Sequence, residues 1–236
     1  MLDLYGMSSP NVLKIMLFLE ELEIDYRFHP VNVAAGEQFD DRFMALNPMR
    51  KVPVIVDHDG LNGKQFTIFE SAAILSYLAE KYDRFLPRDD IARYEVIQWL
   101  MVEAASAGPL LAQLNHYLRF AKERQYSLDR YRTLSGRAYD MFDARLKDRE
   151  FIAADEYSIA DMALFPWVEQ FYEFHGMDWT EHPNLVRWRQ ALNMRPGVAR
   201  SLARYRELAA QDLTFSRPPD PETLDMVLGR GKFTRP

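Results

Sequence analysis

Residues 51–78 read KVPVIVDHDGLNGKQFTIFESAAILSYL. Val52 to Val56 is a β-branched run broken by one proline, which predicts a strand. His58-Asp59-Gly60-Leu61-Asn62-Gly63 is rich in turn formers and predicts a reversal into a further strand, Phe66 to Phe69. Ser71 then opens a helix with Ile74, Leu75, Leu78 and Tyr82 on one face. The stretch is a compact ββα unit, and the flanking sequence decides what it belongs to.

Upstream, Leu2 to Tyr5 alternate apolar and polar and meet a turn signal at Gly6. Val12, Ile15, Met16, Leu19 and Leu22 recur at helical spacing and predict a helix over 11–22. Tyr26 to Val33 reads as a second strand. Phe43 and Leu46 predict a short helix that ends before Asn47-Pro48, because a residue preceding proline is steered away from helical backbone. The order is β-α-β-α-β-β-α, over residues 1–85.

Downstream of about Asp90 the strand signals vanish. Helices are predicted over 91–120, 127–147, 158–174, 183–193 and 196–210, with a kink at Gly108-Pro109. The expected fold is therefore a small α/β domain (1–85) followed by an all-α domain (90–212). A tail (213–236) carries Arg-Pro-Pro-Asp-Pro and has no long periodic pattern, so it is either disordered or folded back.

Of 236 residues, 48% are hydrophobic and 27% charged, which suits a soluble globular protein. A net charge of -6 disfavours a non-specific nucleic-acid binder, which needs a basic face. No apolar run approaches the roughly 18 residues that span a bilayer, and the start lacks a basic-then-apolar leader. The expectation is a cytoplasmic protein with no membrane and no nucleic-acid partner. The chain has no cysteine, so a disulfide, a thiolate metal site and a protein thiol nucleophile are excluded. Sulfur chemistry would need a thiol brought by a ligand. His29, His58, His116, His175 and His182 show no paired ligand spacing, and no metal is expected.

Three short stretches carry chemistry. In Ser8-Ser9-Pro10-Asn11, backbone N–H groups at a helix start favour negative charge, and a hydroxyl there can donate to an anion. In Lys51-Val52-Pro53, a proline opening a strand cannot join the ladder, and a cis bond would turn the Val52 N–H and C=O outward to pair with an extended peptide. In Phe69-Glu70-Ser71, the Ser71 hydroxyl and N–H suit a carboxylate, and Glu70 suits an ammonium. Taken singly, the two serine stretches read as plain helix caps. Together the three suit a short thiol-bearing peptide with a free amino-acid end, and glutathione fits.

In this order and spacing, these motifs resemble a cytosolic glutathione transferase, over about residues 1–210. The resemblance implies a thioredoxin-like N-terminal domain, an all-helical C-terminal domain and a homodimer. It also implies a cis Val52–Pro53 bond. Ser158-Ile159-Ala160-Asp161 resembles the family's helix-capping box and reads as structural. The segments "SPN", "FLEELEIDYR", "GEQF", "FESAAILSYLAEKY", "QWL", "GPLL" and "LDRY" are most similar to the bacterial nu class, which includes glutathione-dependent disulfide-bond reductases.

By that resemblance Ser9 and Asn11 flank the glutathione sulfur and are the catalytic pair. Gln38 touches the glycyl end. Val52, before Pro53, pairs with the cysteinyl backbone, and Glu70 and Ser71 hold the γ-glutamyl end. Arg130 reaches a second glutathione or a substrate carboxylate. Tyr5, Met7, His116, Tyr117 and Trp167 are candidates for the acceptor site, together with Glu103, Pro109, Leu110, Gln113 and Phe171. The expected partner is glutathione with a hydrophobic or disulfide small molecule. Thiolate attack on an electrophile, disulfide exchange with a second glutathione, and a non-catalytic binding or protein-interaction role all remain open at this point.

Overall fold

The computed structural model describes residues 1–212 and 220–233. The chain divides into two compact units, one of residues 1–74 with 200–236 and one of residues 75–199.

The first unit is built on a four-stranded sheet. β1 (Leu2–Gly6), β2 (Tyr26–Pro30), β3 (Val54–Asp57) and β4 (Phe66–Phe69) lie in the order β2-β1-β3-β4. β1 runs parallel to β2, with Leu2 beside Tyr26, and antiparallel to β3, with Leu4 beside Ile55. β4 closes the sheet antiparallel to β3, with Ile68 beside Ile55. The helices keep the expected order: α1 (Pro10–Glu21), α2 (Asp41–Leu46) and α3 (Ser71–Tyr82), of which α3 starts in this unit and runs on into the second. This is the thioredoxin-like arrangement that the sequence predicts.

Strand residues alternate between the two faces of a sheet. Tyr5 joins Val31, Phe43 of α2 and Val54 in one apolar cluster. Leu2 and Leu4 therefore face the other side, and both are buried. On α1, every residue from Val12 to Leu19 is buried. One reason is that α9 (Pro196–Gln211) returns to this unit: Ser201 donates to the Met16 carbonyl at 3.2 Å, and Arg204 lies over the Tyr26 ring.

Two strands are shorter than expected. β2 stops at Pro30, not Val33, after which the Val31 N–H turns back to the Gly6 carbonyl. β3 starts at Val54, not Val52, because Pro53 has no N–H to give the ladder. The Val52–Pro53 bond is cis.

The second unit is helical: α4 (Asp90–Val102), α5 (Gly108–Phe120), α6 (Gln125–Leu146), α7 (Ile159–Phe171) and α8 (Pro183–Asn193). The long helix expected over 91–120 is two helices joined by one wide π turn, Glu103–Ala107. The turn places Gly108 so that a Cβ would lie 2.9 Å from the Glu103 carbonyl oxygen, and only glycine fits such an approach. The sequence predicts a kink at Gly108-Pro109, and the π turn ends directly before these two residues. Wide turns of this kind are one cause of helix kinks.

Ser158 and Asp161 form the capping box of α7. Asp161 is fully buried and also accepts from the Ile152 N–H and the Trp188 indole. The end of the chain holds one more helix, α10 (Pro221–Leu228), started by an Asp220 cap and ended by Gly229 in left-handed backbone. It belongs to the first unit. The expected tail thus contains a helix, and residues 213–219 and 234–236 lie outside the described residues.

Candidate functional site

β1 delivers the chain to the start of α1 through Met7, Ser8 and Ser9. Ser9 has extended backbone, φ -137°, and its Oγ accepts the Val12 N–H at 3.4 Å. It is a helix cap, with Pro10 in the first helical position where no N–H is required. Capping uses Ser9 Oγ as an acceptor, which leaves its proton to donate. Asn11 follows in the first turn, half-buried. The two residues expected at the sulfur therefore share one helix start.

Val52 precedes the cis bond outside the strand. Among the described residues no backbone hydrogen bond uses its N–H or C=O, so an extended peptide can pair there. The loop before it is held by Asn47, whose Nδ2 donates to the Lys51 carbonyl at 2.7 Å. Pro53 is buried behind Val52.

Glu70 is exposed and has φ 70°, a left-handed conformation that costs a non-glycine residue about 1–3 kcal/mol. Its carbonyl accepts the Ile74 N–H and starts α3, with Ser71 next in the chain. This geometry turns the Glu70 side chain to solvent beside a helix N-terminus. Beneath it lies a residue that the sequence reading passed over. Lys14 of α1 is 1% exposed, and its Nζ donates to Ser71 Oγ at 3.5 Å. A lysine within an otherwise apolar helix is the signal that marks it.

Gln38 is buried on the loop before α2. Its Nε2 donates to the Met226 carbonyl at 3.3 Å, and its Oε1 has no partner among the described residues. A cavity of about 450 Å³ opens beside the start of α1, with Met7, Ser8, Phe28, Val31, Leu208 and Asp212 in its wall. Tyr5 stacks on His29 with ring centroids 4.5 Å apart, in the cluster on the α2 face of the sheet. Burial, and then the Asp3 carboxylate nearby, push its phenol up from the usual range. Met7 is buried.

The remaining candidates belong to the second unit. Arg130 is exposed on α6. His116 and Tyr117 pack edge to face on α5, and Tyr117 stacks on Tyr131. Trp167 is 3% exposed, and its indole donates to buried Glu103 at 2.8 Å, which places it in the helical core. Among the described residues no group of three or more His, Asp or Glu is placed to hold a metal ion, and no helix is long and apolar enough to cross a membrane.

A thioredoxin-like sheet with its helices, followed by a helical unit, is the architecture of glutathione transferases. The family comparisons agree in both halves. Residues 8–81 match the glutathione S-transferase N-terminal domain, and residues 109–196 match the C-terminal domain. The disulfide-bond oxidoreductase YfcG of Escherichia coli K12 is 37% identical over 204 residues, which is 86% of this chain and 94% of that protein. The chain belongs to the glutathione S-transferase family and is an enzyme of that family.

Two solved structures are similar throughout. A glutathione transferase from Burkholderia graminis, with two glutathione molecules bound per subunit, is 39% identical with a TM-score of 0.81. That match covers 85% of this chain and 87% of the other. One from Pseudomonas putida, with one glutathione disulfide bound per subunit, is 34% identical with a TM-score of 0.79, covering 85% and 90%.

Proposed function

We propose that the protein reduces disulfides with glutathione, using the thiolate of one bound glutathione as nucleophile and a second glutathione to finish the reaction. The observation that carries this reading is the start of α1. In a chain without cysteine, Ser9 caps the start of α1, and a helix start of this kind favours an anion such as a thiolate, to which the Ser9 hydroxyl proton can be donated.

The peptide is held along its length. Ser71, with Lys14 beneath it, meets the γ-glutamyl carboxylate, Glu70 its ammonium, Val52 the cysteinyl backbone and Gln38 the glycyl end. Ser9 and Asn11 donate to the sulfur. A free thiol has a pKa of about 8.5 and is only a few per cent thiolate at neutral pH. Lowering that pKa by about two units takes roughly 2.7 kcal/mol. A helix N-terminus and one or two hydrogen bonds to charge supply that order of energy.

The thiolate attacks one sulfur of the substrate disulfide. A sulfur–sulfur bond forms to glutathione and the old one breaks, releasing the first thiolate. A second glutathione thiolate then attacks the mixed disulfide, giving glutathione disulfide and the second product thiol. Two electrons pass from two glutathiones to one disulfide, and no bond to the protein forms.

Relatives named as disulfide-bond oxidoreductases, and a relative's structure with glutathione disulfide bound, support this chemistry over attack on carbon. Turnover of hydroxyethyl disulfide with glutathione, set against conjugation of an aryl chloride, tests it. Efficient disulfide reduction is expected. Conjugation without disulfide turnover would contradict the reading, and neither activity would favour a binding role.

The reading includes a cytoplasmic homodimer. Ile91 and Tyr94 of α4 are 83% and 67% exposed, and Met101 lies further along the same helix face, a stripe that suits a partner subunit. Light scattering at micromolar concentration is expected to give the dimer mass.

A further inference from the structure

The C-terminal part of the first unit places acceptor atoms on Gln38, a donor that the glutathione reading needs, and on Ser8, the chain neighbour of Ser9. Asp212 follows α9, and its Oδ2 accepts both the Ser8 N–H, at 3.0 Å, and the Ser8 hydroxyl, at 2.7 Å. Ser8 directly precedes the cap of α1, where the helix carries partial positive charge. An anion seated there is stabilised. A second anion one residue along, a thiolate at Ser9, would be repelled by it at close range in a half-buried setting.

The second contact is at Gln38. Its amide is held by the Met226 carbonyl of α10, while its own Oε1 is buried and, among the described residues, unmatched. A neutral carbonyl is a weaker acceptor than a carboxylate, so this partner is replaceable. The unmatched Oε1 is an acceptor that a donor such as the glycyl amide N–H of a bound peptide can meet.

The seat of α10 is shaped for it. Met226 Sδ lies 2.9 Å from where a Cβ would stand at Gly36, and the Phe39 ring lies 3.2 Å from where one would stand at Gly229. Both glycines have left-handed backbone, φ 82° and φ 64°. Helix and loop approach each other at two positions where a side chain would keep them apart.

We propose that the C-terminal segment is a built-in competitor of glutathione, with Asp212 on Ser8 and the Met226 carbonyl on Gln38, and that glutathione binds by displacing both. The proposal rests on the glutathione reading of Ser9 and Gln38. The apparent affinity for glutathione is then the affinity of the open site reduced by the fraction of molecules that are open.

The test titrates glutathione calorimetrically into the full-length protein, the variants Asp212→Ala and Met226→Ala, and their combination. Hydrogen exchange across residues 221–228 is followed in wild type with and without saturating glutathione. Asp212→Ala removes a charge-assisted pair and is expected to tighten binding about tenfold, the low end of what such a bond supplies. Met226→Ala leaves the backbone carbonyl in place but removes the side chain that seats α10 on Gly36, so it should tighten binding by a smaller factor. The combined variant should bind tightest, and α10 should exchange faster in the complex.

Unchanged or weaker binding by the variants, with α10 equally protected in free and bound wild type, overturns the competition and leaves the glutathione reading standing. Absence of glutathione binding by wild type and all variants overturns both. Should a variant fail to fold, the exchange of α10 in wild type decides alone.

Discussion

The ammonium of Lys14, on α1, stands 3.5 Å from the hydroxyl oxygen of Ser71 at the first turn of α3. Lys14 is buried, and a buried lysine is kept only where its charge is met. Its placement joins two helix starts: α1, with the proposed sulfur site at Ser9, and α3, with the proposed amino-acid site at Ser71. One cation beneath Ser71 adds to the positive end of α3, where a carboxylate of the ligand would sit.

Lys14→Met keeps the apolar stem and removes the charge. It is expected to raise the glutathione Kd about tenfold, which is about 1.4 kcal/mol. Ser71→Ala should do the same or more, since it removes a hydrogen bond to a carboxylate worth about 1.5–3 kcal/mol. Isothermal titration measures both. An unchanged Kd in Lys14→Met would make this lysine a packing residue only.

Glu70 offers a separation of stability from binding. Its left-handed backbone is relieved by Glu70→Gly, while the greater freedom of the unfolded chain offsets part of the gain, about 0.5–1 kcal/mol. Urea unfolding is expected to show stability unchanged or raised by up to about 1 kcal/mol, and titration to show weaker glutathione binding. A variant that is destabilised and binds normally would mean that the conformation serves the fold and not the ligand.

Much of this arrangement was legible in the chain. The β-branched run at Val54–Val56, the glycine-rich reversal after it and the helical spacing from Ser71 are local signals, and they placed the second half of the sheet. Ser9 as a cap and Ser158 with Asp161 as a capping box follow from short-range hydrogen bonding, so they too were readable.

What escaped depends on residues far apart in the chain. Asp212 reaches Ser8 across 204 positions, and nothing near either residue announces the pairing. α10 has eight residues, too few for a periodic pattern, although Asp220-Pro221 at its start and Gly229 at its end are ordinary start and stop signals. The π turn at Glu103–Ala107 depends on one buried carboxylate packed against Gly108, whereas the sequence shows only a glycine and a proline.

The helical unit makes a prediction about pH. His175 is 1% exposed. Burial, and then the positive charge of Arg119, push its imidazole down to about 4 from an ordinary 6.5. The neutral ring is matched on both sides, by the Tyr139 hydroxyl at Nδ1 (2.8 Å) and by Asn115 Oδ1 at Nε2 (2.9 Å).

Between pH 6.5 and 4 the unfolded chain holds more protons on this residue than the folded one. Stability contributed by the neutral ring is therefore present above pH 6.5 and is lost as pH falls toward 4, by about 3 kcal/mol in all. Asp161 acts in the opposite sense over part of this range. Burial pushes its carboxyl up to about 6 against the four donors that hold it. His175→Gln isolates the histidine: urea midpoints at pH 7 and pH 4 should differ less in the variant than in wild type. Equal slopes in the two proteins would contradict the assignment.

The central claim is that the start of α1 turns a bound thiol into a thiolate. Titrating the ultraviolet thiolate absorbance of bound glutathione against pH measures it directly. The account predicts a bound-thiol pKa about two units below the free value of about 8.5 in wild type, rising back toward that value in the Ser9→Ala, Asn11→Ala double variant. A wild-type pKa near 8.5, or a lowered pKa that survives the double substitution, would contradict it and leave Ser9 as a helix cap alone.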